Sequence, residues 1–473
     1  MSAPDFYNKF FVERVILIME DLQILLRQHV GKPCKSVVKA GDTVKRGTLI
    51  AVPDGLGANI FSSADGTVKE VLSDKIVITP SEKQSEDYIK IPEGSKLDMV
   101  KYAGIVGMGG AGFPTGIKID AKFNGSGYVL VNASECEPGL RHNIQRLEEN
   151  PEPIIRGAKY VMEISGADKI IFAVKKKNRK AVENIDKLIA NEPAISRFLL
   201  PDIYPMGEER AVVRECLGIE LKPSELPMVA KAVVINSETC LRIAEAIEQR
   251  KPSFLKDITV RGQLNGGNEA HVFEDVPVGT SVGSLIEKAG GIDEGTCGYG
   301  EIIMGGAFTG RACKIDEPIT KTTGAILVTR PFLDLHNEKL GLLVCACGAN
   351  LERMKDLAAK YNGNVASVCY CHQAEEQKNG TRKCERPGNC PGQVSNNLQF
   401  KKDGCKYILI GNCSDCSNTV MASGPKMGLK VLHITDHAMR AVGHPLYRTL
   451  RVSKKVDQDL NVVDNVEQEN PEN

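Results

Sequence analysis

Residues 107–118 read GMGGAGFPTGIK, and four glycines stand among the first six positions. Because glycine lacks a Cβ atom, such a loop brings backbone N–H groups close to a ligand and can present them to a phosphate. Phe113 can lie against a flat ring, and Lys118 can neutralise a negative charge. A tight structural loop would have the same pattern, so the loop alone does not establish a binding site. The glycines concerned are Gly107, Gly109, Gly110 and Gly112.

The chain around this loop alternates apolar runs with amphipathic stretches. Residues 127–132 and 169–174 are apolar runs typical of buried strands, whereas residues 152–165 and 181–190 fit amphipathic helices. Residues 100–250 are therefore predicted to form an α/β domain with a largely parallel sheet.

Amide and carboxylate side chains occur where the predicted strands of this domain end. In an open α/β sheet, polar residues at the carboxyl end of a strand lie where ligands bind. Residues 132–139, 207–209 and 234–239 are three such segments. They supply the candidate binding residues Asn132, Glu135, Glu137, Glu208, Glu209 and Asn236.

The regions on either side are predicted to be rich in β-structure. Residues 28–92 place glycine turns between short apolar alternations and resemble the barrel sandwich of lipoyl and biotinyl domains. The hairpin tip, residues 53–57, contains no lysine, so neither lipoate nor biotin is expected. Residues 256–330 combine strands with one helix, residues 281–289, which two glycines follow. This pattern resembles a ligand-binding β-grasp domain.

Composition excludes several classes of function. Lys plus Arg and Asp plus Glu each number 60, and the chain has no Trp, so it lacks the charge and stacking residues typical of nucleic-acid binding. No segment approaches the roughly 20 apolar residues of a transmembrane helix. The N-terminal stretch carries acidic residues and lacks a signal-peptide cleavage pattern. We expect a cytoplasmic protein that handles small ligands and protein partners.

Nine of the 15 cysteines fall between residues 345 and 416. In a cytosolic chain such a cluster usually binds metal or performs redox chemistry. The predicted strands 340–344, 364–368 and 407–412 each lead into a cysteine pair, and a parallel sheet would bring the three pairs to one edge. Helices are predicted after the first and third pairs, over residues 350–361 and 418–428. The candidate metal ligands are Cys345, Cys347, Cys371, Cys384, Cys390, Cys413 and Cys416.

Three chemistries suit these thiols. An iron–sulfur cluster needs about four thiolates and transfers single electrons. A zinc ion would use the same ligands tetrahedrally but has no redox role. A dithiol relay would use Cys413 and Cys416, with the thiol pKa lowered by a helix N-terminus. Cys405 and the six cysteines upstream of residue 340 are expected to be inert.

The ordered motifs of residues 28–330 resemble the NADH-oxidising flavoprotein subunit of respiratory complex I and, more closely, the C subunit of Rnf-type complexes. In that family the glycine loop holds FMN. The resemblance implies FMN contacts at Gly107, Gly109, Lys118, Asn132 and Asn236, and NADH contacts at Phe113, Glu137 and Glu209. Met108 and Ser134 depart from the complex I pattern, so the flavin site is expected to be similar but not identical. No catalytic acid or base is expected, because the cofactors carry the hydride chemistry.

The cysteine-rich region is loosely similar to the N-terminal cluster domain of heterodisulfide reductase A subunits. That resemblance implies a [4Fe–4S] cluster, with Cys345, Cys347, Cys390 and Cys413 as first candidates. The region lacks the ferredoxin cysteine run of the Rnf family and the four-helix cluster domain of complex I. A flavin-binding region of Rnf type followed by this cysteine-rich region resembles the electron-transfer proteins associated with D-proline reductase, which link NADH to the reductive cleavage of proline.

We therefore expect an oxidoreductase that passes electrons from NADH through FMN and a [4Fe–4S] cluster to a partner reductase, proline reductase above all. The alternatives are a peripheral Rnf-type C subunit that exchanges electrons between NADH and ferredoxin, and a flavin-less zinc-bound interaction protein. The expected architecture is α/β and multidomain. Its parts are an N-terminal segment with a barrel sandwich (1–99), a Rossmann-like FMN/NADH domain (100–250), an SLBB-like β-grasp domain (251–335), a cysteine-rich α/β redox domain (336–452) and a disordered tail (453–473).

Overall fold

The computed structural model describes residues 20–295, 298–348, 350–378, 380–411 and 419–444. The tail predicted for residues 453–473 lies outside these ranges, as do Cys413 and Cys416. Within the described ranges, every helix is too short or too polar to cross a membrane.

The first module is a pair of small antiparallel sheets packed face to face. One sheet has the strand order β1-β7-β6-β3 and the other β2-β4-β5. Ile24, Ile50, Ile60 and Ile76 fill the space between them. This is the barrel sandwich that the glycine turns predicted. The strands are β1 (Leu22–Leu25), β2 (Cys34–Ser36), β3 (Thr43–Val44), β4 (Leu49–Pro53), β5 (Ile60–Phe61), β6 (Gly66–Val71) and β7 (Lys75–Pro80).

The second module is an α/β domain around a four-stranded parallel sheet. Its helices are α1 (Lys96–Tyr102), α2 (Thr115–Lys118), α3 (His142–Glu149), α4 (Glu152–Ser165), α5 (Arg179–Ile189), α6 (Glu209–Leu217), a 3₁₀ turn (Pro227–Ala230) and α7 (Ser237–Glu248). Its strands are β8 (Tyr128–Ala133), β9 (Lys169–Lys175), β10 (Ile195–Leu200) and β11 (Ala232–Asn236). The strand order is β10-β9-β8-β11, so the chain reverses its direction across the sheet between β8 and β11. Ligands bind at such a switch point in open α/β sheets.

The third module is a mixed five-stranded sheet with the order β13-β12-β16-β14-β15 and one helix. Central strands β12 and β16 are parallel, as in a β-grasp fold. The helix begins after Ser281, whose hydroxyl accepts the Ser284 N–H, and Gly290 follows it at a φ of 104°. Its elements are β12 (Leu255–Gly262), β13 (His271–Pro277), α8 (Val282–Lys288), β14 (Ile302–Met304), β15 (Arg311–Cys313) and β16 (Ala325–Val328).

The fourth module is a second parallel sheet, with the order β18-β17-β21-β22. Val344 pairs with Tyr370 and Leu343 with Ile410, so these three strands end at one edge, as predicted. The elements are β17 (Lys339–Val344), α9 (Leu351–Lys360), β18 (Asn364–Tyr370), a hairpin of β19 (Ala374–Glu376) and β20 (Arg382–Cys384), α10 (Val394–Lys402), β21 (Tyr407–Ile410), α11 (Val420–Ser423), a 3₁₀ turn (Pro425–Met427), β22 (Lys430–His433) and α12 (Asp436–Ala441).

One helix differs from the prediction. Residues 418–428 were expected to form a single helix, but α11 ends at Ser423 and a 3₁₀ turn follows. Pro425 has no N–H to donate and its ring clashes with the preceding turn, which ends the α-helix there.

A buried network of charges joins the second and third modules. Asp257 of β12 accepts two hydrogen bonds from Arg146, at 2.7 and 2.9 Å, and one from Arg242 at 3.0 Å. Beside it, Glu238 and Lys256 form an ion pair with both side chains fully buried. Because every charge in this network has a partner, it can be buried between the two sheets.

Candidate functional site

The glycine loop is closed by its own backbone. Gly107 N–H donates to the Phe113 carbonyl at 2.9 Å, and Gly112 N–H donates to the Gly107 carbonyl at 3.0 Å. Met108 N–H donates to the Thr239 hydroxyl at 3.0 Å, which fastens the loop to the first turn of α7. The loop therefore stands at the positively polarised end of a 12-residue helix.

The outer side of the loop is open. Gly109, Gly110 and Ala111 are exposed, and Gly110 adopts a φ of 108°, which favours glycine. A Cβ atom on Gly110 would meet no other atom within 4 Å, whereas one on Gly109 would lie 3.4 Å from the Asn236 amide nitrogen. A side chain on Gly109 would project toward Asn236, whereas one on Gly110 would project into open space. The glycines thus leave a cradle of exposed backbone that fits a nucleotide phosphate.

Two asparagines end the adjacent central strands of the sheet. Asn132 of β8 and Asn236 of β11 are direct partners in the parallel register, so both lie at the switch point. Asn132 donates to the Gly207 carbonyl at 2.8 Å. The Asn236 side-chain oxygen accepts the N–H groups of Glu238 and Thr239 and thereby caps α7. The structure brings these two predicted residues together beside the glycine loop.

The predicted carboxylates of residues 208 and 209 lie at the start of α6. Glu208 caps this helix by accepting the N–H groups of Arg210 and Ala211 at 2.9 and 3.0 Å. Glu209 forms an ion pair with Lys118, which ends the short helix α2 after the glycine loop. Lys118 is therefore held near the cradle by a half-exposed carboxylate.

The two remaining carboxylates are occupied by protein groups. Glu135 accepts the Asn143 N–H at 2.9 Å. Glu137 accepts the N–H groups of Phe308 and Thr309, each at 2.9 Å, and the Thr309 hydroxyl at 2.6 Å. Burial raises the pKa of Glu137, and these hydrogen bonds oppose that shift. Glu137 thus anchors the third module to the end of β8, and an NADH contact from it stays a prediction. Phe113 is half-buried at the end of the loop.

Four of the predicted cysteines form a connected group of thiols at the carboxyl edge of the fourth module. The thiols of Cys345, Cys347, Cys371 and Cys384 line one small pocket, in which Cys345 interacts with Cys347 and Cys371, and Cys347 interacts with Cys384. These contacts lower the pKa of Cys345 and raise that of Cys371. Gln393 donates to the Cys371 sulfur at 3.1 Å.

Cys390 lies beside the four thiols, but its sulfur atom contacts other groups. It lines the pocket with the four thiols, while its own sulfur lies 3.3 Å from the Thr419 hydroxyl. Over the described ranges, no three His, Cys, Asp or Glu side chains are arranged to hold a metal ion. Soft thiolates are the donors that an iron–sulfur cluster or zinc prefers, so the donor set fits either group.

The thiol group lies next to the second module. Residues 201–208, the bridging loop, join β10 to α6. At one end the Gly207 carbonyl accepts from Asn132, and at the other the Tyr204 hydroxyl donates to the Cys347 carbonyl at 3.0 Å. Three peptide units separate the two loop residues, so their Cα atoms are at most about 11 Å apart. The switch point and the thiols thus lie on either side of one short loop.

The structure adds residues that no motif indicated. Tyr204 packs on Phe308 with 4.0 Å between ring centroids, and Cys136 belongs to the same apolar cluster. Tyr204 stands in no recognisable pattern, because it acts through contacts between segments far apart in sequence. Among the cysteines expected to be inert, burial raises the pKa of Cys34 to about 11 and of Cys216 to about 12.

Comparison with known families matches two parts of the chain. Residues 12–91 match the RnfC barrel sandwich hybrid domain, and residues 100–245 match the Nuo51 FMN-binding domain. A solved NAD⁺-reducing [NiFe]-hydrogenase is similar at 22% identity and a TM-score of 0.42, over 50% of this chain and 46% of the hydrogenase chain.

Curated relatives extend the likeness over most of the chain. Cobalamin reductase PduS of Salmonella typhimurium is 36% identical over 49% of this chain, and the chain spans only about half (49%) of the length of that relative. The C subunit of the Na⁺-translocating ferredoxin:NAD⁺ oxidoreductase complex of Acetobacterium woodii is 30% identical over 63% of this chain and 71% of its own. The C subunit of the proton-translocating ferredoxin:NAD⁺ oxidoreductase complex of Clostridium ljungdahlii is 30% identical over 68% of this chain and 74% of its own. The chain therefore belongs to the family of Rnf complex C subunits.

Proposed function

We propose that this protein oxidises NADH at a bound FMN and passes the electrons to an iron–sulfur cluster in its own fourth module, from which a partner reductase takes them. The observation that carries the proposal is the bridging loop, which contacts Asn132 of the switch point through Gly207 and Cys347 through Tyr204. A flavin and a cluster held at these two places would be separated by a few residues of folded protein.

At the flavin site the chain supplies binding and orientation. FMN, when bound, accepts hydride from NADH and releases the electrons singly. The open backbone of Gly109 and Gly110, with the N-terminus of α7 behind it, offers N–H groups and positive polarisation to the phosphate. Lys118 adds a positive charge next to the loop, and Asn132 and Asn236 hold amide groups at the strand ends. Phe113, Glu135, Glu137, Glu208 and Glu209 are proposed for the NADH side.

At the cluster site the chain supplies thiolate ligands. A [4Fe–4S] cluster, when bound, takes up and releases one electron at a time. Cys345, Cys347, Cys371 and Cys384 are the proposed ligands in the described ranges, with Cys390 beside them. Cys413 and Cys416, which lie outside the described residues, stay candidates from the sequence pattern.

The partner is proposed from chemistry and family likeness together. A cytoplasmic reductase fits a protein whose described part contains no membrane-spanning helix, and proline reductase is our first choice. Cobalamin reductase PduS is similar to about half (49%) of this chain, so related domains also occur in a protein named for a different reductive reaction.

A second function has its own support. The C subunits of ferredoxin:NAD⁺ oxidoreductase complexes match most of this chain, which favours a peripheral protein that exchanges electrons with ferredoxin. Copurification with the membrane fraction after gentle lysis would support this function, and full recovery in the supernatant would support the soluble carrier.

Anaerobic purification followed by an absorbance spectrum and metal analysis tests the proposal. We expect flavin and iron together in the same protein. Cys347→Ser should lose iron and keep flavin, whereas Cys405→Ser, a buried cysteine outside the thiol group, should keep both. About one zinc per chain without flavin or iron would instead identify a structural zinc protein and contradict the proposal.

A further inference from the structure

Helix α6 (Glu209–Leu217) contacts both candidate sites. At its N-terminus Glu209 pairs with Lys118 on the flavin side. One turn further along, Arg214 donates to the Pro387 carbonyl at 2.9 Å, in the loop that carries Cys384 and Cys390. The same loop approaches Met206, whose methyl group occupies the space that a Cβ atom on Gly388 would need.

Arg210 is a buried cation on this helix with unused hydrogen-bonding capacity. Its residue surface is only 7% exposed. The Nε atom donates to Glu208 at 2.9 Å, but the buried Nη1 atom has no hydrogen-bond partner in the described part of the chain. An unsatisfied buried donor costs free energy, so it calls for an explanation.

The position of Arg210 indicates what its free N–H groups face. Residues four apart on a helix lie on one side of it, so Arg210 shares a side with Arg214, which binds the cysteine loop. Just before this helix, the Met206 methyl group lies against Gly388 of the same loop. The buried cation is therefore on the side of α6 that packs against the loop between Cys384 and Cys390.

We propose that Arg210 is an electrostatic positioning residue that makes the thiol-ligated centre a better electron acceptor. This inference rests on the proposed function. When one electron leaves the reduced flavin and enters the cluster, the cluster gains one negative charge and no bond to the protein forms or breaks. A buried guanidinium on the helix face that packs against the cysteine loop would stabilise that added charge, because Arg stays protonated.

A comparison of Arg210 with Arg214 distinguishes an electrostatic role from simple packing on the cysteine loop. Glu208 caps α6 and neutralises part of the Arg210 charge, but it leaves Nη1 without a partner in the described part of the chain. Arg214 contacts the same cysteine loop through a backbone carbonyl, and its charge is paired with Glu215 at 2.8 Å. Arg214 is thus a matched control for loss of a guanidinium that packs on this loop.

The test is a redox titration of the anaerobic holoprotein, followed by electron paramagnetic resonance for the cluster and absorbance for the flavin. We expect Arg210→Gln to lower the midpoint potential of the cluster by the equivalent of about a tenfold change in the reduction equilibrium, about 59 mV for one electron. Arg210→Lys should restore at least half of that shift. Arg214→Gln should shift the potential much less, and the flavin potential should be unchanged in all three variants.

Several results would overturn the inference. An unchanged cluster potential in Arg210→Gln, with iron content intact, would show that the charge has no effect on the centre. An equal shift in Arg214→Gln would show that loop packing is responsible. Equal loss of iron from Arg210→Gln and Arg210→Lys would show a structural role only. Wild-type protein without flavin or iron would instead refute the proposed function itself, before any variant is compared.

Discussion

Single residues decide whether the glycine loop is a binding site or only a turn. Lys118 stands at its C-terminal end, and its ion pair with Glu209 holds it beside α6. In a phosphate-binding loop, loss of that charge weakens ligand binding without lowering the stability of the fold. The loop can therefore be tested by substitutions that separate binding from stability.

Lys118→Ala is expected to weaken FMN binding about tenfold, which corresponds to about 1.4 kcal/mol. The physical reason is the loss of a charge-assisted contact to the phosphate. Flavin fluorescence titration of the apoprotein measures the change. Lys122→Ala removes a more exposed lysine of the same segment and should leave the affinity unchanged. Equal affinity in wild type and Lys118→Ala would remove Lys118 from the site.

Gly110→Ala tests the cradle itself. Gly110 and Gly41 both have positive φ angles, 108° and 90°, and in both cases a Cβ atom would meet nothing within 4 Å. Each alanine substitution should therefore destabilise the fold by a similar amount, about 1 kcal/mol. Only Gly110→Ala should also lose flavin, because its methyl group occupies the cradle. Thermal melting and the flavin-to-protein ratio measure the two effects, and flavin retained in Gly110→Ala would contradict the assignment.

Lys321 gives a pH-dependent prediction. This lysine is fully buried and donates to the carbonyls of Asn59 and Gly104, and burial lowers its pKa to about 7. Between pH 7 and the ordinary lysine pKa, the unfolded chain binds a proton that the folded chain does not, so this group makes stability rise with pH.

Lys321→Met should remove that contribution. The unfolding free energy of the wild type minus that of Lys321→Met should increase from about pH 7 to about pH 9.5, as the direction of the Lys321 pKa shift requires. Chemical denaturation at several pH values measures the difference, and the exposed Lys45→Met serves as control. A difference that is constant over this range would show that Lys321 stays charged in the folded protein.

Some of these residues could be predicted from sequence and others could not. Asn132 and Asn236 end apolar strands, and that pattern placed them correctly at the sheet edge. Tyr204 belongs to no motif, since its importance comes from its contact with Cys347, a segment more than 100 residues away. Arg210 belongs to no motif either, since its burial and its unpaired Nη1 atom are properties of the folded chain. Local patterns carry no information on such pairings.

Secondary-structure elements were predictable where capping and periodicity agree. Residues 350–361 were expected to form a helix, and α9 spans Leu351–Lys360 with Asn350 accepting the Arg353 N–H at 2.9 Å. Helix α4 (Glu152–Ser165) has the predicted bounds, with Gly166 in the left-handed conformation after it. The prediction of a single helix over residues 418–428 was wrong, because Pro425 ends the α-helix despite the local apolar pattern.

The packing of α7 against β12 depends on the buried charge network. Asp257→Ala would leave Arg146 and Arg242 with fewer carboxylate partners, so we expect a loss of about 3–5 kcal/mol in unfolding free energy. Asp186→Ala, which removes the partner of the half-exposed Arg197, should cost less than about 1 kcal/mol. Similar losses in the two variants, measured by urea denaturation, would contradict a buried network that joins two modules.

In the whole molecule, side-chain contacts join the second and third modules to the fourth, cysteine-rich module. The bridging loop reaches Cys347 from the second module, and Phe308 of the third packs on Tyr204. Glu301 of the third module accepts from Lys360 and His437 of the fourth, at 2.6 and 2.8 Å. The cysteine-rich module is thus held against the second and third modules by contacts at two places, which suits an electron path within one chain.

The most direct test of this path is anaerobic stopped-flow mixing of the holoprotein with NADH, with parallel samples frozen for electron paramagnetic resonance. We predict that the visible flavin band bleaches first and that a reduced-cluster signal then appears in the same sample. Cys347→Ser should retain the first event and lose the second. A flavin band that NADH leaves unchanged, or a cluster that stays oxidised after the flavin is reduced, would contradict the account.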